Sequence, residues 1–288
     1  MRNLKDRIRD YSCLTKGVPV SKDTVILYGD DPAGYTGFGR IVDNLVSAVI
    51  EAGAKPEVVA LKGVTGVKYD KAKVHRPDLS KDPLGWTMLE KLVAKKKAPL
   101  VVSVGDPWDI HGLVTVQETT PFQWLGCTPV DSTPYPRFIL VSKEPQQYLD
   151  VAVIMEQMKD VITFSDFGTQ AVSYMLKEAF KGGKGTKSLP NVSRVYLGVD
   201  SDKYTTMDKH EARKIFDGAV ADDAILFSCI KVNSWRAGFD TLLEAWAQFM
   251  ELARKKAPDI AHRSKLYLHT NLAGDGYPIP IIMKRHRI

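Results

Sequence analysis

The sequence predicts an α/β protein in which parallel sheets flanked by helices form two lobes. Apolar runs of strand length alternate with amphipathic segments of helix length, a pattern typical of parallel sheets. The 288 residues, of which 44% are hydrophobic, suffice for two modest cores. A glycine-rich loop follows the first apolar run, at the place where a parallel sheet normally binds its ligand. We therefore expect two Rossmann-like lobes, at 1–198 and 199–288.

The first lobe is predicted to begin with a buried strand at 24–28 (TVILY), a β-branched run bounded by polar residues. A glycine-rich loop at 29–39 follows this strand. Apolar residues then recur at helical spacing from Ile41 to Ile50, and Gly53 is the predicted cap of that helix. The other predicted elements are strands at 57–61 and 100–104, and helices at about 84–97, 146–158 and 169–180. Short apolar runs also occur at 161–164 and 195–197.

The second lobe is predicted to contain a single unit of strand, helix and strand. A helix at about 209–216 comes first, and strands at 225–230 and 265–269 flank a long amphipathic helix at about 239–256. The alternation then stops, so we expect this lobe to be short or incomplete. An unpaired sheet edge or an apolar helix face would favour a homo-oligomer.

Composition and charge restrict the function classes. No apolar run approaches the roughly 20 residues of a membrane span, and the charged N-terminus does not resemble a secretory signal, which predicts a cytoplasmic protein. The cysteines, Cys13, Cys127 and Cys229, are too far apart for a disulfide framework or a zinc knuckle. A net charge of +6 and a pI near 9.0 favour phosphate-bearing partners, either nucleotides or nucleic acid. A lysine-rich solvated surface would explain the same charge.

Gly37, Phe38 and Gly39 form the first candidate binding site. They lie in the loop 34–40 (GYTGFGR), between the end of a predicted strand and the start of a helix. Glycines at such a junction let backbone N–H groups approach phosphate oxygens, and the helix dipole adds attraction. The spacing is not G-x-G-x-x-G, and the second strand does not end in an acidic residue, so a nicotinamide cofactor is not expected. The alternative is that these glycines only permit close helix packing.

Lys231, Asn233 and Arg236 form the second candidate binding site. They directly follow the predicted strand 225–230 and precede Gly238 and a helix. Two cations at the carboxyl end of a strand are suited to neutralise a diphosphate leaving group, and no metal would then be needed. The alternative is that these cations are simply exposed on a loop.

The order of these segments resembles the glycogen-synthase-like (group 1) retaining glycosyltransferases with the GT-B fold. The strongest stretch, 195–204 (VYLGVDSDKY), is similar to the GVD-x-x-x-F motif that leads into the donor lobe of that family. The stretch 225–246 is similar to its strand, basic loop and helix ending in LLEAF. Further similar segments are the glycine loop 36–40, VGDPW at 104–108, CTPVD at 127–131 and TFSDFG at 163–168.

This resemblance implies transfer of a sugar from a nucleotide diphosphate sugar, such as a UDP-sugar, to an acceptor held by the first lobe. It implies no cofactor. Asp106 and His111 are the polar residues nearest to the place where the family often carries a histidine, and they are our catalytic candidates. Each could instead be structural, Asp106 as a helix cap and His111 as a surface ring. Lys231 and Arg236 keep the spacing of the Arg and Lys of the family but are shifted by one residue.

Two alternatives to an active sugar transferase remain open at this point. The paired glutamates of the family, E-x7-E, are expected beyond the last residue of this sequence, so the chain could be a catalytically incomplete module that binds a nucleotide sugar. The basic charge is also compatible with a glycosyltransferase whose acceptor is a base in DNA. The resemblance does not identify the acceptor.

Overall fold

The chain divides into two units, the first ending at Gly198 and the second beginning at Val199. A computed structural model describes residues 24–62, 67–78, 80–96, 100–143, 146–181, 189–272 and 276–288. Cys13 lies outside the described residues.

A parallel sheet of seven strands forms the centre of the first unit, in the order β3-β2-β1-β4-β5-β8-β9. Two further strands among the described residues of this unit, β6 and β7, pair with each other in antiparallel orientation. The strands are β1 (Thr24–Asp30), β2 (Lys55–Leu61), β3 (Lys73–His75), β4 (Leu100–Val104), β5 (Gln123–Cys127), β6 (Phe138–Lys143), β7 (Gln146–Asp150), β8 (Asp160–Thr163) and β9 (Asn191–Arg194). All seven residues of β1 are buried, as expected for a strand covered on both faces.

Helices cover both faces of this sheet. Alternate residues of each strand point to opposite sides, so each strand contributes side chains to the core on either face. Leu27 packs with Val42 and Val46 on one side, whereas Ile26 packs with the core that contains Leu89 on the other. The described helices of the unit are α1 (Gly37–Glu51), α2 (Trp86–Lys96), α3 (Pro107–Ile110), α4 (Leu113–Thr119), α5 (Val151–Glu156) and α6 (Asp166–Ala179). The predicted α/β architecture with a parallel sheet flanked by helices is therefore confirmed.

The predicted helix at 146–158 is wrong in its first part. Residues 146–150 form β7, which pairs with β6 from Phe138 opposite Asp150 onward. The helix begins only at Val151, because the Asp150 carboxylate accepts a hydrogen bond from the Ala152 N–H at 3.0 Å and caps it. The apolar run at 195–197 begins directly after β9, which ends at Arg194.

The second unit contains a two-stranded parallel sheet of β10 (Ile225–Ile230) and β11 (Ser264–His269). Its core consists of Phe239, Leu243 and Ile279, all nearly inaccessible to solvent. The predicted strand at 225–230 and helix at 239–256 are confirmed at both ends. The described helices are α7 (Lys209–Arg213), α8 (Phe239–Lys256), α9 (Pro258–Arg263) and α10 (Ile279–His286).

The helices of the described residues were compared with the requirements of a membrane span. None of these helices combines the length and the apolar character that crossing a membrane requires.

Cys127 and Cys229 are both free thiols. Burial raises the pKa of Cys127 to about 12, so this thiol stays protonated at neutral pH and is not a nucleophile there.

The segment 67–78 holds α1 against the sheet through the carboxylate of Asp43. The Tyr69 hydroxyl donates to Asp43 Oδ1 at 2.6 Å, and Lys71 Nζ donates to the same oxygen at 2.7 Å. Partial burial disfavours the charged carboxylate, but the hydrogen bonds from Lys71 and Tyr69 outweigh this effect and lower the pKa of Asp43. The ionised form of Asp43 therefore stabilises the fold.

We expect Asp43→Asn to reduce the free energy of unfolding at pH 7 by roughly 1–3 kcal/mol, because it removes charge-assisted hydrogen bonds. The folded-state pKa of Asp43 is depressed, so its stabilisation exists above the unfolded-state pKa of about 3.9 and is lost as the pH falls through the folded-state value. Urea unfolding of the wild type and of Asp43→Asn, from pH 7 to below pH 4, measures the difference in their free energies of unfolding. A difference that stays constant over that range would contradict the assignment.

Candidate functional site

The carboxyl ends of the central strands bring charged residues to one edge of the sheet. Asp30 ends β1, and Asp31 follows it. Lys62 directly follows β2, and Asp106 follows β4 after one glycine. Because these strands are parallel and adjacent, their carboxyl ends lie at the same edge, where open α/β sheets bind ligands.

The glycine-rich turn at this edge leads into the N-terminus of α1. Thr36 is the N-cap, and its hydroxyl accepts a hydrogen bond from the Gly39 N–H at 2.9 Å. The Arg40 N–H donates to the Thr36 carbonyl at 3.1 Å. The N–H groups of Gly37 and Phe38 belong to the first turn, where a helix supplies no acceptor of its own. These two groups can therefore serve an anion.

The two glycines of this turn have different surroundings. A Cβ atom at Gly39 would lie 2.5 Å from the Asp31 carbonyl oxygen and 3.0 Å from the Thr36 hydroxyl oxygen. A Cβ atom at Gly37 would meet no atom within 4 Å. Gly39 thus permits the close approach of α1 to the turn, which is the packing role considered above as the alternative.

Asp31 is the residue that sequence reasoning missed in this turn. Its side chain is completely buried and forms an ion pair with Arg76, with Arg76 Nε 2.6 Å from Asp31 Oδ2. Its Oδ1 atom also accepts a hydrogen bond from the Ala33 N–H at 2.9 Å. The acidic pair at 30–31, which comes at the end of an apolar run, was the available signal in the sequence. Arg76, the ionic partner of Asp31, lies 45 residues away.

Asp106 and His111 flank α3, the four-residue helix that follows β4. Asp106 is its N-cap but forms no side-chain cap hydrogen bond. Burial is the main cause that raises the pKa of Tyr135 to about 12, and the nearby charge of Asp106 contributes to it.

The His111 ring is oriented by two contacts. Its Nδ1 lies 2.8 Å from the Trp108 carbonyl oxygen, and its edge meets the Trp86 ring with centroids 5.0 Å apart. A carbonyl can only accept a hydrogen bond, so Nδ1 carries the proton. In the neutral ring, Nε2 is then the nitrogen that can accept a hydrogen bond from a ligand.

Lys231, Asn233 and Arg236 lie in the loop that follows β10 in the second unit. Lys231 and Arg236 are exposed, whereas Asn233 is only 4% exposed. The Asn233 side chain donates to the Tyr277 carbonyl at 2.9 Å and accepts from the Tyr277 N–H at 2.8 Å. Asn233 therefore fixes the loop against residues 276–277, and the two cations lie on either side of it in sequence.

No family model and no curated protein matches this sequence. Solved structures do match it. The trehalose 6-phosphate synthase of Burkholderia multivorans aligns over 92% of this chain and 68% of its own, with a TM-score of 0.54 and 10% identity. The S. aureus MnaA–UDP co-structure aligns over 91% of this chain and 65% of its own, with a TM-score of 0.52 and 14% identity.

The chain has a GT-B-like fold. This agrees with the fold class predicted from the sequence. At 10–14% identity the likeness concerns the fold alone, and the activity and the roles of individual residues are matters for a proposal.

The crowding at Gly39 gives a paired test. We expect Gly39→Ala to lower the free energy of unfolding by about 1–3 kcal/mol, because the added methyl group would press on the backbone of Asp31. Gly37→Ala should not destabilise, since the space is open and alanine favours a helix by about 0.5–1 kcal/mol. Urea unfolding of both variants measures the difference, and equal stability would contradict the packing role of Gly39.

The buried amide of Asn233 gives a second test. We expect Asn233→Ala to cost about 1–3 kcal/mol of stability, because it leaves the N–H and carbonyl of Tyr277 without their partner. Gln248→Ala, on the exposed surface of α8, is the control and should change stability by less than about 0.5 kcal/mol. If Asn233→Ala kept full stability and lost nucleotide affinity, Asn233 would be a ligand-binding residue instead.

Proposed function

We propose that this protein binds a nucleotide diphosphate sugar and transfers its sugar to an acceptor held by the first unit. The observation that carries the proposal is the glycine-rich turn into α1, at the carboxyl end of β1, in a GT-B-like fold. S. aureus MnaA, which shares this fold, was solved with UDP. That co-structure supports a nucleotide as the ligand.

In this proposal the phosphates receive hydrogen bonds from the backbone of the turn. The donors are the N–H groups of Gly37 and Phe38, assisted by the positive end of the α1 dipole. The Gly39 N–H already donates to Thr36, so we assign Gly39 to the shape of the turn.

Lys231 and Arg236 are proposed to stabilise the negative charge that develops on the diphosphate as the sugar leaves. A guanidinium and an ammonium group supply this stabilisation directly, because each carries a positive charge. Asn233 holds their loop in place. Cations on a loop that is already ordered need less reorganisation when the charge appears, which favours electrostatic catalysis.

Asp106 and His111 are proposed to contact the reacting sugar. His111 Nε2 would accept a hydrogen bond from a sugar hydroxyl while Trp108 holds Nδ1. The Asp106 carboxylate would accept a second such bond. Both residues flank the same short helix, so their spacing is set by α3.

A second candidate function is binding of a nucleotide sugar without turnover. It is favoured by the internal hydrogen bonds of Gly39 and Asn233, which engage two of the predicted ligand groups. A hydrolysis and transfer assay on each nucleotide sugar that binds separates the two candidates. Duplex DNA should be included among the acceptors, because transfer to DNA and to no small molecule would favour a base in DNA as the acceptor.

The double variant Lys231→Gln, Arg236→Gln should weaken binding of UDP or GDP at least tenfold, about 1.4 kcal/mol, because two charge-assisted contacts are removed. Calorimetric titration measures the affinity. Lys255→Gln is the control, since Lys255 Nζ pairs with Glu251 at 2.6 Å on α8 and should not affect affinity. Unchanged affinity in the double variant would exclude these two residues from the phosphate site.

A further inference from the structure

Lys62 has a backbone conformation that is unfavourable for its residue type. Its φ is +49°, in the left-handed region that is unfavourable for a non-glycine residue. Among the described residues, Asp217 and Arg287 also have such a φ. Asp217 follows the 3-10 helix Lys214–Phe216 and Arg287 follows α10, where this conformation is common, whereas Lys62 follows strand β2. Its conformation needs another explanation.

The side chain of Lys62 connects two acidic residues from different elements. Its Nζ lies 3.5 Å from Asp30 Oδ1 and 3.6 Å from Asp109 Oδ2. The Asp30 and Asp109 side chains are only 5% and 15% exposed. One ammonium group therefore counters two largely buried carboxylates, one at the end of β1 and one in α3.

The short helix α3 depends on such contacts. Four residues are too few for a helix that is stable by itself, and Asp106 provides no side-chain cap. The Tyr28 hydroxyl, which donates to the Leu84 carbonyl at 2.5 Å, also lies 3.2 Å from the Asp109 carbonyl oxygen, and Lys62 holds the Asp109 carboxylate. Both contacts fasten α3 to the end of the sheet from which the glycine-rich turn starts.

We propose that Lys62 is a positioning residue for the reaction proposed above. Its ammonium group fixes α3, and with it Asp106 and His111, relative to the end of β1. Lys62 acts through Asp30 and Asp109 and does not itself need to contact the substrate. The strained backbone at Lys62 is retained because it directs the ammonium group between these two carboxylates. This inference rests on the proposed function.

Three variants separate the charge of Lys62 from its backbone strain. Lys62→Gln removes the charge and keeps the strain, Lys62→Gly removes both, and Lys62→Arg keeps both. We expect the first two to lower kcat about tenfold while the Kd for the donor nucleotide changes less than twofold. Lys62→Arg should retain most of kcat. Asp217→Gly, which relieves the same kind of φ in the second unit, is the control and should leave kcat unchanged.

Wild-type kcat in folded Lys62→Gln and Lys62→Gly would overturn the proposal, and so would an arginine variant as impaired as the glutamine variant. If the wild-type protein neither binds nor turns over a nucleotide sugar, the proposed function fails. The positioning role is then decided by hydrogen exchange at 106–112. Faster exchange in Lys62→Gln than in wild type supports the role, and identical exchange overturns it.

Discussion

The buried carboxylate of Asp31 determines the shape of the candidate site in the first unit. It receives the Arg76 guanidinium through two hydrogen bonds, of 2.6 and 3.2 Å, and the Ala33 N–H through a third. The Asp31 carbonyl accepts from the Gly34 N–H at 2.9 Å. A carboxylate that is buried is tolerable only when it is paired in this way, so the turn and the Arg76 segment must fold together. The first turn of α1 is placed by this arrangement.

The segment 67–78 fixes the position of the whole of α1 as well as that of the turn before it. Arg76 holds the turn before the helix through Asp31, and Tyr69 and Lys71 hold the helix itself through Asp43. The helix is thereby fixed at two points along its axis, in addition to its apolar contacts with the sheet. A fixed helix N-terminus is what an anion site needs, since its N–H groups then require little ordering when a ligand binds.

The fold was predictable where the signal is local, and the details of the site were not. The strand at 225–230 and the helix at 239–256 follow from periodicity within each segment, and the order of motifs indicated the GT-B fold class. The segment 146–150 was misassigned because pairing with β6, a contact outside the segment, decides its structure. The ionic partners of Asp31 and Lys62 could not be predicted from the sequence, since they lie on other elements and meet these residues only through the sheet topology.

In both units, the residues that build a loop are distinct from those suited to touch a ligand. Thr36 and Asp31 use their side chains to hold backbone groups, as Asn233 does in the second unit. A Cβ atom at Gly276 would lie 2.4 Å from Asn233 Oδ1, so only glycine fits against this amide. Sequence patterns mark both kinds of residue as polar groups in a loop after a strand. Burial separates them: Asn233 is inaccessible and internally bonded, while the cations Lys231 and Arg236 beside it are exposed on a loop whose conformation is already set.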